Sequence, residues 1–246
     1  MNAARVVRPG GAGRFVIFCD HAGNYVPPEL CGLGLPPAEL TRHIAWDIGA
    51  AGVTEVLSEI FDAPAILSVA SRLVVDCNRH LEAADLIPER SAEGSSSIWI
   101  PGNSRLTPAQ RSARIESWFR PYHVAVEDVF TERAARGAAS VALSVHSMTD
   151  FLDGVDRPWQ ISLSSHQDRT LADPVLAALR LPGDAEVGDN QPYDLDPAVD
   201  YSTPFHALRR GLPHLQVEFR QDLIASVAGQ REWAERFARA LSSYEL

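Results

Sequence analysis

His21, His146 and Glu218 are spread across nearly the whole chain, yet each stands where an apolar run stops. Arg14-Phe-Val-Ile-Phe-Cys19 runs into Asp20-His21, Ser140-Val-Ala-Leu-Ser-Val145 into His146, and His214-Leu-Gln-Val217 into Glu218. In open α/β sheets, ligands bind beyond the carboxyl ends of parallel strands, so three such endings can converge on one place. Two imidazoles and a carboxylate there point to a divalent metal centre, with His21 and His146 as ligands and Glu218 as the base that activates water.

Each residue also has a plainer reading. A lone histidine after a buried strand is more often a hydrogen-bonded structural residue than a ligand. Gly23, two residues on, favours the ligand reading because it lets the backbone turn and approach a bound group. The spacing from His21 to Asn24 resembles the His-x-x-Glu pair of zinc carboxypeptidases, with a neutral amide where a carboxylate would add charge. His146 strengthens the case, since Ser147 and Asp150 beside it could accept its second ring N–H. Glu218 taken alone reads as an ion-pair partner of Arg220.

Five segments together carry a family resemblance. Asp20-His-Ala-Gly-Asn-Tyr-Val-Pro27, Ala45-Trp-Asp-Ile-Gly-Ala50, Ser71-Arg-Leu-Val-Val-Asp-Cys-Asn-Arg79, Asp189-Asn-Gln-Pro-Tyr193 and Glu218-Phe-Arg-Gln-Asp-Leu-Ile224 resemble, in order, the motif set of the N-formylglutamate amidohydrolase family. The likeness runs from about Phe15 to Ile224. It implies a single α/β domain related to the zinc carboxypeptidases, with a phosphorylase/hydrolase-like fold. It implies hydrolysis of N-formyl-L-glutamate, or a close N-acyl amino acid, to formate and the amino acid. It implies one divalent metal, zinc in the first instance, on His21 and His146, with Asn24 as the candidate third ligand and Asp47 as the alternative. Glu218 takes the base role.

That chemistry is coherent. An unactivated amide needs its carbonyl polarised and a water made acidic near neutral pH, and a metal does both. A substrate with two carboxylates needs cations once desolvated. Arg72 and Arg79 in the third motif, and Arg220 beside Glu218, are candidates for that grip, with Asn78 adding a polar contact. Tyr193 belongs to a candidate loop over the site. His206 is read as a core or surface residue that could also face the pocket.

The elements that must position these groups alternate between strand-like and helix-like patterns. After the first strand, a helix is expected from about Pro36-Pro37 to Phe61, broken or kinked at Gly49 and Gly52. Ala63 to Val69 and Leu73 to Asp76 read as strands. Residues 78–105 lack periodicity and read as a substrate-facing loop. A long helix is expected from Thr107 to about Arg136, with Trp118, Phe119, Tyr122, Val126, Val129 and Phe130 as core. Strands follow at 140–145, 159–163, 185–187 and 212–219, and helices at 168–181 and 230–241. The alternation implies a mixed, mostly parallel sheet flanked by helices. Residues 1–13 are expected to be a flexible tail and 14–246 one domain.

Composition sets the remaining bounds. The net charge of −10 comes without a Lys/Arg-dense block, which argues against nucleic acid or an anionic membrane as partner. Nothing in the sequence approaches a secretory leader or the ~20 apolar residues of a membrane span. Cys19, Cys31 and Cys77 show no metal or redox spacing and read as reduced thiols, as in a cytoplasmic protein. No Gly-x-Ser-x-Gly elbow, phosphate loop or dinucleotide fingerprint is present, and neither Cys19 nor Cys77 sits where a thiolate would be activated. The rival to an amidohydrolase is a metal-free domain that binds an acidic ligand without catalysis. The expected partner is in either case a small acidic N-acyl amino acid, and the sequence leaves the oligomeric state open.

Overall fold

The computed structural model describes residues 2–91, 97–242 and 244. Along the chain these form β1 (Ala4–Val7), β2 (Phe15–Cys19), α1 (Ala50–Phe61), β3 (Ala65–Ser68), α2 (Pro108–Arg114), α3 (Arg120–Ala135), β4 (Val141–Met148) and the hairpin strands β5 (Phe151–Leu152) and β6 (Val155–Asp156). There follow β7 (Ile161–Ser164), α4 (Ala172–Arg180), β8 (Val187–Asp189), α5 (Ser202–His206), β9 (His214–Arg220) and α6 (Val227–Leu241). The main sheet of the described residues has the order β1-β3-β2-β4-β9-β7-β8. Its centre, β3, β2, β4 and β9, is parallel, while β1 pairs antiparallel with β3 and β7 antiparallel with β9. The fold is thus a mixed, mostly parallel α/β sheet, as the alternating pattern predicts.

Side chains alternate across each strand, and the two faces have different jobs. Ile17, Leu143, Val145, Leu215, Val217 and Phe219 are buried in one core with Leu57 of α1, Leu176 of α4 and Phe237 of α6. Val16, Phe18 and Ala142 face the other way, against Tyr122, Val126 and Phe130 of α3. Further along β4 and β9 this second face turns polar. Ser144 and His146 lie on it beside Gln216 and Glu218, with Ser162 of β7 opposite Glu218, and all five are buried. An apolar side chain at each position would contribute roughly 1.5–3 kcal/mol by burial, so this face gives up stability where the chemistry sits.

Several expectations change in detail. Residues 4–7 of the expected tail form an edge strand. The expected helix at 36–61 begins only at Ala50, because Gly49 adopts φ +82° and brings its Cα against the Ile224 carbonyl, where a Cβ would lie 2.2 Å from the oxygen. The chain before it is a loop with a short 3₁₀ turn at Glu39–Thr41. The long helix after Thr107 is present and opens with a Thr107/Gln110 capping box. It widens to a π turn over Ile115–Phe119 just before Pro121, which has no N–H to continue the ladder.

Leu73–Asp76 is not a strand. Its apolar residues are buried under a loop, and its carbonyls are bonded by side chains: Asn103 Nδ2 donates to Leu73 O, and Arg114 Nη1 to Val74 O. Burial explains the β-like composition without any ladder. In the 78–105 loop, residues 92–96 lie outside the described residues. No helix among the described residues is long and apolar enough to cross a membrane.

Candidate active site

β2 ends at Cys19 and delivers Asp20 and His21 into the space above the polar face. His146 and Glu218 do not end their strands, as the apolar runs suggest. β4 continues to Met148 and β9 to Arg220, and the two residues stand in register on adjacent parallel strands. His21, His146 and Glu218 are all at most 5% exposed. The two imidazole rings have centroids 5.1 Å apart, close enough to share one ion.

The group that joins the two imidazoles is Asp47, the alternative third ligand. The loop before α1 carries it in, and its backbone N–H donates to the His21 carbonyl at 2.9 Å. Asp47 Oδ2 lies 3.0 Å from His146 Nδ1 and 3.4 Å from His21 Nδ1, and one ligand atom from each residue falls within 4.8 Å of the others. Donors around a tetrahedral ion with bonds of about 2.0–2.2 Å are spaced by roughly 3.3 Å, so this set fits a small divalent cation. His21 Nδ1 has no hydrogen-bond partner among the described residues although it is buried, as a ligand atom would be. Asn24 stands differently: its amide donates to the Leu40 carbonyl at 3.2 Å.

The outer ring nitrogens are held in place. His21 Nε2 donates to Asp76 Oδ1 at 2.7 Å, and His146 Nε2 lies 2.9 Å from Ser144 Oγ. Such contacts fix the tautomer and aim the inner nitrogen. For His146 the partner is therefore Ser144 and not Ser147 or Asp150. Ser147 instead uses its backbone N–H on Asp47 Oδ2. Asp20 stands behind, accepting from Tyr122 and Ser202 through Oδ1.

The charges favour a cation. Burial alone would lower His146, but its hydrogen bond to Asp47 and the nearby Glu218, Asp47 and Asp20 carboxylates raise it to about 9. His21 is also raised: burial and Arg72 oppose the shift, and Asp76 and Asp47 outweigh them. Asp47 is buried too, yet the two imidazoles hold it below the usual carboxylate range. Burial pushes Glu218 up to about 7 against the opposing pull of His146. Its Oε2 is buried with no partner among the described residues.

The expected carboxylate-gripping arginines are already paired. Arg72 forks its Nε and Nη2 onto Asp76 Oδ2 at 3.1 and 2.8 Å and reaches Asp47 at 3.6 Å, so it belongs to the site but is largely committed within it. Arg79 bonds Asp85, and Arg220 forks onto Asp222. Asn78 braces the chain at 200–202, donating to Asp200 and accepting from the Tyr201 and Ser202 amides. Tyr193 is 43% exposed, and its ring lies under the Arg157 guanidinium. His206 is core, hydrogen-bonded to His123.

Gly23 serves a neighbour and not a ligand, since a Cβ there would lie 2.1 Å from the Val69 carbonyl. Sequence reasoning assigned no role to Asp76, Asp20 or Ser144. The available signals were an aspartate closing the buried run Leu73-Val-Val-Asp76 and a serine two residues before His146, on the same face of its strand.

Comparison with known proteins gives the following. The family model described as N-formylglutamate amidohydrolase matches residues 13–225. The crystal structure of gene product Atu2144 from Agrobacterium tumefaciens is 35% identical over 99% of this chain and 96% of its own, with a TM-score of 0.92. The N-formylglutamate amidohydrolase from Ralstonia eutropha JMP134 is 20% identical over 98% of both chains, with a TM-score of 0.69, which speaks for the fold alone. No curated protein matches.

Proposed function

Because the chain belongs to the N-formylglutamate amidohydrolase family, whose members cleave amide bonds, we propose that it hydrolyses the formyl amide of N-formyl-L-glutamate, or a close N-acyl amino acid. In this reading one divalent metal, zinc in the first instance, is held by His21, Asp47 and His146. The observation that carries it is the convergence of those three donors within 4.8 Å, next to a buried carboxylate, Glu218, in register with His146.

A metal bound there supplies polarisation of the amide carbonyl and a more acidic water. The protein's own groups do the rest. Asp76 and Ser144 keep the imidazoles aimed inward. Glu218, raised to about 7, takes a proton from water near neutral pH and can return it to the leaving nitrogen through the same oxygen. Without that return the amine would leave as an anion, at a prohibitive cost.

Metal analysis of gently purified protein, paired with a formate-release assay before and after chelation, tests the reading. Bound metal with chelator-sensitive formate release is the expected result. Formate release that survives complete metal removal overturns the metal-dependent mechanism, and no release from any N-acyl amino acid overturns the substrate class.

A further inference from the structure

The site is rich in carboxylates, and the arginine nearest the ligand set is spent on them. Asp20, Asp47, Asp76 and Glu218 surround the two imidazoles, and Arg72 is forked on Asp76. A metal held by the imidazoles and Asp47 would serve the scissile amide, so a side-chain carboxylate of the substrate needs a cation of its own.

Arg157 is that cation. It leaves the β5–β6 hairpin just ahead of β7, and among the described residues no carboxylate lies within ion-pair distance of it. Its guanidinium stacks on the Tyr193 ring, 5.0 Å from the centroid, and Nη1 donates to Thr149 Oγ1 at 3.3 Å. Its backbone N–H donates to Asp150 O at 2.7 Å, so the stem is tied to the end of β4.

These contacts tie Arg157 to the chain just beyond the end of β4, the strand that carries His146. Thr149 is three residues beyond His146, on the order of 10 Å along an extended chain. Tyr193, on its other side, is near enough to Arg72 that its ionised form would add to the charges favouring that guanidinium. In an N-acyl amino acid the α-carboxylate hangs from the carbon beside the scissile nitrogen, whereas a side-chain carboxylate reaches outward.

We propose that Arg157, steadied by the Tyr193 ring, receives the side-chain carboxylate of the substrate and thereby selects N-acyl amino acids with acidic side chains. This deepens the hydrolase reading above and rests on it for the placement of the amide. A planar guanidinium suits the task, since it can offer two parallel N–H groups to a carboxylate while one face stays on an aromatic ring.

The test is equilibrium titration of metal-loaded protein, in a Glu218→Gln background so that ligand is not consumed. N-formyl-L-glutamate is compared with N-formyl-L-glutamine. The parent is expected to bind the acid about 10-fold or more tightly than the amide, the scale of one charge-assisted pair. Arg157→Gln should shrink that ratio to about 2-fold or less without weakening the amide ligand, and Arg157→Lys should keep part of it. A ratio unchanged in Arg157→Gln, or no preference in the parent, overturns the proposal. Formate release is then measured with Glu218 intact. If the Arg157-dependent preference is present but neither ligand yields formate, the hydrolase reading fails and the role of Arg157 stands.

Discussion

His21 donates its Nε2–H to Asp76 Oδ1 at 2.7 Å, which leaves its Nδ1, with no hydrogen-bond partner among the described residues, 3.4 Å from Asp47. The carboxylate is itself fixed by the Arg72 fork and by the backbone N–H of Asn78. Asp76→Asn should therefore weaken metal binding by about 10- to 100-fold, the cost of removing a partner that orients a ligating histidine. Competition titration against a chromogenic chelator reads this directly, and an unchanged dissociation constant would detach Asp76 from the site.

Asp47 and Asn24 can be told apart by stoichiometry. Asp47→Asn and His146→Ala should each lose the metal and the activity together, because the first neutralises and the second removes one of three converging donors. Asn24→Ala should keep a full equivalent, since His21, Asp47 and His146 supply a converging set without it. Elemental analysis of the purified variants decides it. Retention of a full equivalent by Asp47→Asn, with loss in Asn24→Ala, would reverse the assignment.

Glu218→Gln should retain the metal and lose turnover by about 10²-fold or more, the usual scale of deleting a general base. The near-isosteric amide keeps the shape of the pocket and cannot take a proton. Turnover within a few-fold of the parent would remove Glu218 from the mechanism.

The pH dependence follows from the same residue. Burial raises Glu218 to about 7 and a divalent cation beside it would pull that value down, so in the proposed base role its protonated, inactive form would dominate only at or below that pH. The rate constant kcat/KM should be nearly level above about pH 7.5 and fall about tenfold per pH unit in acid. The residual rate of Glu218→Gln should lack that limb. A wild-type profile flat down to pH 5 would contradict the assignment.

The legible part of this chain was the part whose partners are strands. His21, His146 and Glu218 are polar residues closing or interrupting apolar runs, and the sheet brings such positions together. Asp47 was harder, because its place is set by a loop whose path depends on Gly49 packing against Ile224, a contact with residues from the other end of the chain. Asp76 was read as the end of a strand, since apolar burial and β-pairing favour the same residue types. The pairing of the arginines was hidden for another reason. Composition shows cations near the motifs, but only the folded arrangement shows that Asp76, Asp85 and Asp222 already engage Arg72, Arg79 and Arg220.

The segment 73–76 has a consequence for how damage to this protein would look. Its carbonyls are clasped by Asn103 and Arg114, from a turn and a helix that carry none of the proposed ligands. Arg114 in turn grips Asn103 Oδ1 at 2.6 Å, so the clasp is a single unit. The height of Asp76, and through it the tilt of one imidazole, is in the keeping of scaffold side chains. Loosening that clasp would register at the bench as a catalytic fault while leaving every reacting group intact.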